Sequence, residues 1–523
     1  MTHRLRHDLQ ALCLSESFRL DKEGFELLLG HAYAQGGDIE CISQLLDTID
    51  AGSVKLWTAD MIRDLLGGTA SGQHATEMIQ VINAFDVPRV RYEPIRKAFY
   101  CQAEQLSLHG GPQDKQQVYL DRMYLLQQRL RRNPMFSKPV FDNLGGTSRA
   151  FCELTELKAL LGLVGQTRYV MGCISQLEDG RFFLEDLSAS VPLDITEAAT
   201  VDGFVTENCI VVAEGKLQHS GVFKVEALGF PPLEPRAESQ AAAKGIDFFG
   251  GQALRGEELV KALDWEMAHE NDRIIIMSDV WLDKPETLDS LHLLLTGYEM
   301  MENVPSLFVL MGNFQSYSCA SASTDYTAIR ENFSSLAAAL SQHRRIKQSS
   351  HFVLVPGPGD PGPASVLPRP GLPAQLTADL AQQLPRVSFA SNPCRIRFGT
   401  QELVFFRDNL QNRMRRLCLL PPKGEDKSPE RMHYHLSVTL LQQSHLCPVP
   451  MDQQAIYWQY DHALHLYPAP DVLVVADAFK ATVNTFQGCV CINSGSLANK
   501  EFAAYVPALR EGEPCELPEE DDL

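Results

Sequence analysis

Two short apolar runs, Ile274 to Met277 and Leu307 to Met311, limit what this chain can fold into. Each breaks into small and polar residues, Ser278-Asp279 after the first and Gly312-Asn313 after the second. Runs of this length bounded by turn formers suit strands buried on both faces of a parallel sheet. The helical segment between them has Asp283 as a candidate cap and Pro285 near its first turn. In open α/β sheets, ligands collect at the carboxyl edge of the strands. Both runs place an acid or an amide there, so the stretch from Arg273 to Gln315 reads as the rim of a site.

The same alternation extends over residues 247–507. Asp325 can cap a helix reaching His343, with Ile329, Phe333, Leu336 and Leu340 on one side. Phe352 to Val355, Val472 to Val475 and Gly488 to Asn493 read as strands, and Arg395 to Phe398 with Glu402 to Phe405 as a hairpin. Cys489 and Cys491, two apart on such a strand, point to one face.

At 523 residues the chain is too long for a single core. Residues 1–87 carry short apolar stripes with plausible caps, as a helical bundle requires, the last being His74 to Phe85 with Met78, Ile79 and Ile82. Residues 88–150 form a connector whose amphipathic helix, Gln113 to Arg132, gathers Tyr119, Met123, Leu126 and Leu130 on one face. Arg129, Arg131 and Arg132 at its end are expected to be solvated or paired with the helix dipole. Residues 151–233 switch to strand periodicity with two hairpin signals, Glu178-Asp179-Gly180 and His219-Ser220-Gly221. About five such strands fit an OB-type barrel. Its bases are few (Arg168, Arg181, Lys216, Lys224), and of the adjacent Phe182 and Phe183 one must face the core. Residues 234–246 read as a linker, and 508–523 as an acidic tail expected to be disordered.

The net charge is −20, which disfavours general binding to phosphate backbones and favours protein partners. Thirteen scattered cysteines without a C-x-x-C pair predict free thiols and no zinc site. No apolar run is long enough to span a bilayer, and the first residues show no signal-peptide core.

The strand ends carry Asp279, Gly312-Asn313, Gly357-Pro-Gly-Asp360, His445 and Asp477 in turn. The series resembles the metal-binding loops of calcineurin-like phosphoesterases, which hold two cations about 4 Å apart through Asp, His and Asn ligands. Position by position the ligands are lost. Asp279 is kept, but Trp281 stands at a histidine position, and Asn313 replaces the bridging carboxylate. Asp360 lacks the Asn-His pair before it, His445 can fill the fourth motif, and Asp477 is followed by no histidine. The expectation is a degenerate site with no catalytic residue, metal or cofactor. His433 and His435 diverge on a helix, whereas His462 and His465 can share a face.

The segments FFLEDLSASVPLDI, SDVWLD, LMGNF, FVLVPGPGDPGPASVLPRP, SNPCRIRFGTQELVFFRDNL and CVCINSGS resemble the B-subunits of the replicative DNA polymerases, in the epsilon branch of that family. The resemblance implies a multidomain α/β chain: helical bundle, OB barrel, and a phosphoesterase-like β-sandwich flanked by helices. It implies a nuclear, non-catalytic accessory subunit. Its implied partners are the zinc-bearing C-terminal region of a catalytic subunit, small histone-fold subunits and the replicative helicase, with DNA reached mainly through the complex and no membrane. Two other classes stay open: a metal-dependent phosphoesterase or nuclease, and a single-strand-binding module.

Overall fold

A computed structural model describes residues 78–137 and 151–518, except 104, 201, 252, 253, 255, 320–323, 364, 365, 423 and 425–427, together with the isolated Phe25. The expected helical bundle lies outside the described residues as far as Glu77. The second of two compact units begins at Met78, not after residue 87.

The stretch expected to end the bundle's last helix is instead strand β1, Ile79–Asn83. It lies antiparallel to a strand of the C-terminal domain, with Ile79 opposite Phe398 and Asn83 opposite Cys394. Ile79, Val81 and Ile82 are β-branched, and an available sheet edge decides between the two periods. A hairpin follows, β2 (Val90–Glu93) with β3 (Ala98–Cys101). Helix α1 (Pro112–Arg132) buries Val118, Met123, Leu126 and Leu130, and also Arg122 and Arg129.

The OB-type barrel has five principal strands: β4 (Thr167–Glu178), β5 (Arg181–Glu185), β6 (Ser190–Asp194), β7 (Ile210–Leu217) and β8 (Phe223–Gly229). They run β6-β5-β4-β7-β8, and β8 pairs back onto β6 through Phe223 opposite Leu193, which closes the ring. Alternate residues fill the interior, among them Val170, Ile174, Leu184, Val211, Ala213 and Val225, and Phe182 packs against them.

Residues 234–246 are not an open linker. The alanine-rich stretch forms helix α2 (Arg236–Ala243), anchored by Arg236 to Glu402 and Asp471. Helix α3 (Glu257–Ala268) leads into the last domain.

That domain is a sandwich of two six-stranded sheets. One contains β9 (Ile274–Met277), β10 (Leu307–Met311), β11 (His351–Val355) and β12 (Val387–Phe389), all parallel, then β18 (Glu501–Val506) and β19 (Glu511–Glu516). The other orders β1, β13 (Cys394–Phe398), β14 (Gln401–Arg407), β15 (Val472–Ala476), β17 (Cys489–Asn493) and β16 (Thr482–Phe486). Residues 511–516 are therefore an ordered antiparallel edge strand, not a disordered tail. Glu501 faces Glu516 and Val506 faces Glu511, so the acidic segment finds a ladder of backbone partners.

Strand periodicity assigns each residue to a layer. Ile274, Ile276, Val309 and Val355 pack between the sheets against Ile396, Phe405, Val474 and Ile492. Their neighbours Ile275, Met277, Phe308 and Leu354 face outward onto helices α4 (Pro285–Met300), α5 (Tyr326–Gln342) and α6 (Ala374–Gln383). On the far side Phe406, Leu473, Val475, Cys489 and Cys491 meet helices α7 (Leu410–Leu417) and α8 (Pro429–Gln443). Asp325 caps α5 by accepting from Thr327 N and Ala328 N. Asp283 does not cap α4; Lys284 holds that position, and Asp283 accepts from the backbone N–H and hydroxyl of Ser316.

Ile276→Ala is expected to cost about 2–5 kcal/mol by chemical denaturation, because it opens a cavity between the sheets. Val309→Asp is expected to abolish folding of the sandwich, seen as loss of the cooperative transition.

Candidate functional site at the strand ends

The carboxyl ends of β9, β10, β11, β14 and β15 converge on one edge of the sandwich. Asp279 follows β9 and takes a left-handed backbone (φ 50°), a strained conformation for a residue with a side chain. Gly312 follows β10, and a Cβ there would overlap the Asp360 carboxylate, which fixes glycine at this position. Asn313 Oδ1 accepts from Gly359 N at 2.8 Å, and Asp279 Oδ1 accepts from Asn313 N at 3.1 Å. Asp360 accepts from Phe314 N and Gly357 N, each at 2.7 Å. Asp477 accepts from Gln411 N at 2.9 Å.

The residue that joins these loops is Arg407, at the end of β14. It is 1% exposed, and its Nη2 meets Asp279 Oδ1 at 2.7 Å. Its other nitrogens donate to the carbonyls of Gly312 and Ala476 and to Asn409 Oδ1. Its charge also acts on Asp360 and Asp477. Burial nevertheless pushes the Asp360 carboxyl up to about 6, and it raises Asp477 as well.

A fixed guanidinium thus stands among the carboxylates that a pair of cations would need. Asn313 is engaged through its carbonyl oxygen, and Trp281 presents an indole rather than a metal-ligating group. Asp279, Asn313, Asp360 and Asp477 lie along this one edge.

His445 does not join them. Its Nε2 lies 2.9 Å from Arg122 Nη2 and 3.1 Å from Asp461 Oδ1, and its Nδ1 accepts from Cys447 N. With His465 and Asp461 it forms a group of three ligating-type side chains within 4.8 Å of one another. Arg122 of α1 is ion-paired to Asp461 inside this group, so a guanidinium again supplies the positive charge. Burial would raise the Asp461 carboxyl, but Arg122 and His445 hold it well below the usual range. Burial, with Arg122 beside it, pushes His445 down to about 3. His462 does not pair with His465 as a ligand set; its Nε2 faces the Val87 carbonyl at 3.0 Å.

Arg407 and Arg122 escape a reading by motif, yet each leaves a trace. Arg407 is a lone base ending the apolar run of β14, and Arg122 falls within the apolar stripe of α1. Arg129, expected at the surface, is buried and donates to Ser444 Oγ and to the carbonyls of Pro231 and Gln442. Arg132 pairs with Glu234. These bonds, with the two between Gln443 and the backbone of Ile210, fasten barrel and α1 to the sandwich. On the barrel strands Arg168 is ion-paired to Glu153, Arg181 to Glu178, Lys216 to Glu226 and Lys224 to Glu197.

A family model for the DNA polymerase alpha/epsilon B-subunit matches residues 274–484, and one described as "DNA polymerase epsilon subunit 2-like, OB-fold domain" matches residues 112–232. The DNA polymerase epsilon B-subunit of Arabidopsis thaliana is 40% identical, covering 98% of this chain and 99% of its own. The chain belongs to the DNA polymerase epsilon B-subunit family. DNA polymerase epsilon subunit 2 of Homo sapiens is 37% identical over 82% of this chain and 81% of its own. The Schizosaccharomyces pombe B-subunit is 30% identical over 80% and 72%. The solved telomere capping protein Ten1 aligns with 15% of this chain at a TM-score of 0.13 and 22% identity, too slight a likeness to bear on fold or function. The epsilon B-subunit is an accessory subunit in DNA replication, and its two family-defining segments are the barrel with α1 and the sandwich core.

Arg407→Met is expected to destabilise the sandwich by about 3–5 kcal/mol, since it leaves Asp279 buried without a cation. Adding Asp279→Asn is expected to restore most of that loss, read by urea denaturation of the single and double variants. A pH response follows from the buried histidines. Burial holds His433 and His462 near 4 and His445 near 3, below their unfolded value of 6.5. Their stabilisation is complete above pH 6.5 and is lost as pH falls towards 4, while Asp360 acts in the opposite sense below pH 6. His433→Gln is expected to flatten the acid-side slope of stability by up to about 1.4 kcal/mol per pH unit.

Proposed function

We propose that this B-subunit is a non-catalytic scaffold of DNA polymerase epsilon, built on a calcineurin-like phosphoesterase fold whose metal site has become a structural clamp. The observation that carries this reading is the Arg407 guanidinium, buried against Asp279 and bonded to the ends of β10 and β15. A side-chain cation held by four partners cannot be exchanged for metal, and it offers no open position for substrate or water.

The scaffold would hold the zinc-bearing C-terminal region of the catalytic subunit, with the small histone-fold subunits and the replicative helicase joining the assembly in the nucleus. DNA would be reached through the complex. The pairing of Arg168, Arg181, Lys216 and Lys224 with carboxylates supports that order over direct single-strand capture, because paired cations displace fewer counterions. Among the described residues no helix is long and apolar enough to cross a membrane.

The test is metal analysis and phosphodiester hydrolysis by the purified chain, beside co-purification with the catalytic subunit. Substoichiometric Mn, Fe and Zn, no hydrolysis, and a one-to-one complex are expected, and Asp279→Ala should change no turnover. Stoichiometric metal with hydrolysis lost in Asp279→Ala would overturn the scaffold reading.

A further inference from the structure

The opposite edge of the parallel sheet, where its strands begin, carries a surface that the clamp does not explain. Helix α3 packs by one side alone. Ala262 is buried, and Trp265 rests on Phe398 with 5.0 Å between ring centroids. Its other side presents Leu259, Leu263 and Met267 at i, i+4 and i+8, with Val260 beside them, and all are exposed. Leu263 is 45% and Met267 68% accessible. This stripe is about 12 Å long. Met300 and Met301, where α4 ends, are exposed as well.

The stripe runs towards a cavity of about 370 Å³ lined by His269, Asp272, Glu302, Asn303 and Arg345 among others. Asp272 is buried, with only 6% of its surface exposed. Its Oδ1 accepts from Arg273 N and Ser306 N, but its Oδ2 has no partner among the described residues. A buried carboxylate oxygen without a donor is costly and calls for one. Arg345 does not supply it, being committed to the carbonyls of Glu299, Met301 and Glu302. The surroundings are acidic: Glu257, Glu258, Asp264, Glu266 and Glu270 face one lysine, Lys261, in that stretch of sequence.

We propose that this surface docks an amphipathic α-helix of a partner protein, aliphatic on one face and carrying a lysine or arginine that enters the cavity to meet Asp272. The apolar stripe at i, i+4 and i+8 matches about two turns of a helix laid along it. The methionines supply adaptable apolar contacts. The carboxylates select basic flanks and repel nucleic acid. The proposal stands independently of the clamp at the other edge.

The probe is a labelled synthetic helical peptide with leucines at i, i+4 and i+8 and one arginine a turn beyond, beside a twin with glutamate in place of the arginine. Both are titrated against the full chain by fluorescence anisotropy. The arginine peptide is expected to bind at least about tenfold more tightly than its twin. Leu263→Asp should lose that binding with an unchanged melting temperature, because the side chain is exposed. Asp272→Asn should shrink the preference for arginine. Equal binding of the two peptides, or binding indifferent to Leu263→Asp, would overturn the proposal. A photo-crosslinker at position 263 in the assembled polymerase provides a second readout. It should label a basic, aliphatic helix of another polypeptide, whereas labelling of a second copy of this chain would count against the idea.

Discussion

The pairing of Arg407 with Asp279 is the constraint on which the strand edge depends. Arg407 ends a strand of one sheet and Asp279 follows a strand of the other, so their contact closes the sandwich where its two layers would otherwise part. Taking two charges out of water is costly, and the geometry must compensate in full. Here the carbonyls of Gly312 and Ala476 and the amide oxygen of Asn409 take three of the four other guanidinium N–H groups. The loops after β9, β10 and β15 are fixed by the same side chain. An edge that elsewhere would be left polar and open becomes an extension of the core.

A second buried arginine system performs the corresponding task between domains. Arg122 and Arg129 project from α1 into the sandwich, one onto Asp461 and the other onto the end of α8. Burial lowers Arg129 only to about 10, so it stays charged at neutral pH. Gly203 and Phe204, between barrel strands, donate backbone N–H groups to His435 and Thr439 on the same helix α8. Barrel and sandwich are therefore held by directional polar bonds around one helix, which fixes their orientation more tightly than an apolar contact alone.

The sandwich's strands were legible because its apolar runs are short, bounded and continuous, as strands covered on both faces must be. The barrel was legible from alternation and turn residues. What escaped has a common physical cause. Ile79–Asn83 and Glu511–Glu516 are edge strands whose state is set by a distant backbone ladder, and local sequence carries no record of that ladder. Motif spacing names Asp279, Asn313, Asp360, His445 and Asp477 alike, and it carries no record of the contact His445 makes with Arg122, more than three hundred positions away. Trp281 and Asn313 could be read directly from the sequence. The contact of Arg407 with Asp279 was visible only in three dimensions.

Strand β1 belongs to the last domain although it precedes the barrel, and its partner β13 is made more than three hundred residues later. At roughly 5–20 residues per second, synthesis leaves β1 waiting for tens of seconds while the barrel folds ahead of it. During that interval Ile79, Val81 and Ile82 offer an unpaired edge to any other extended chain. The order of assembly is thus written into the topology: the barrel matures first on the ribosome, and the sandwich closes around a segment kept in reserve from the beginning.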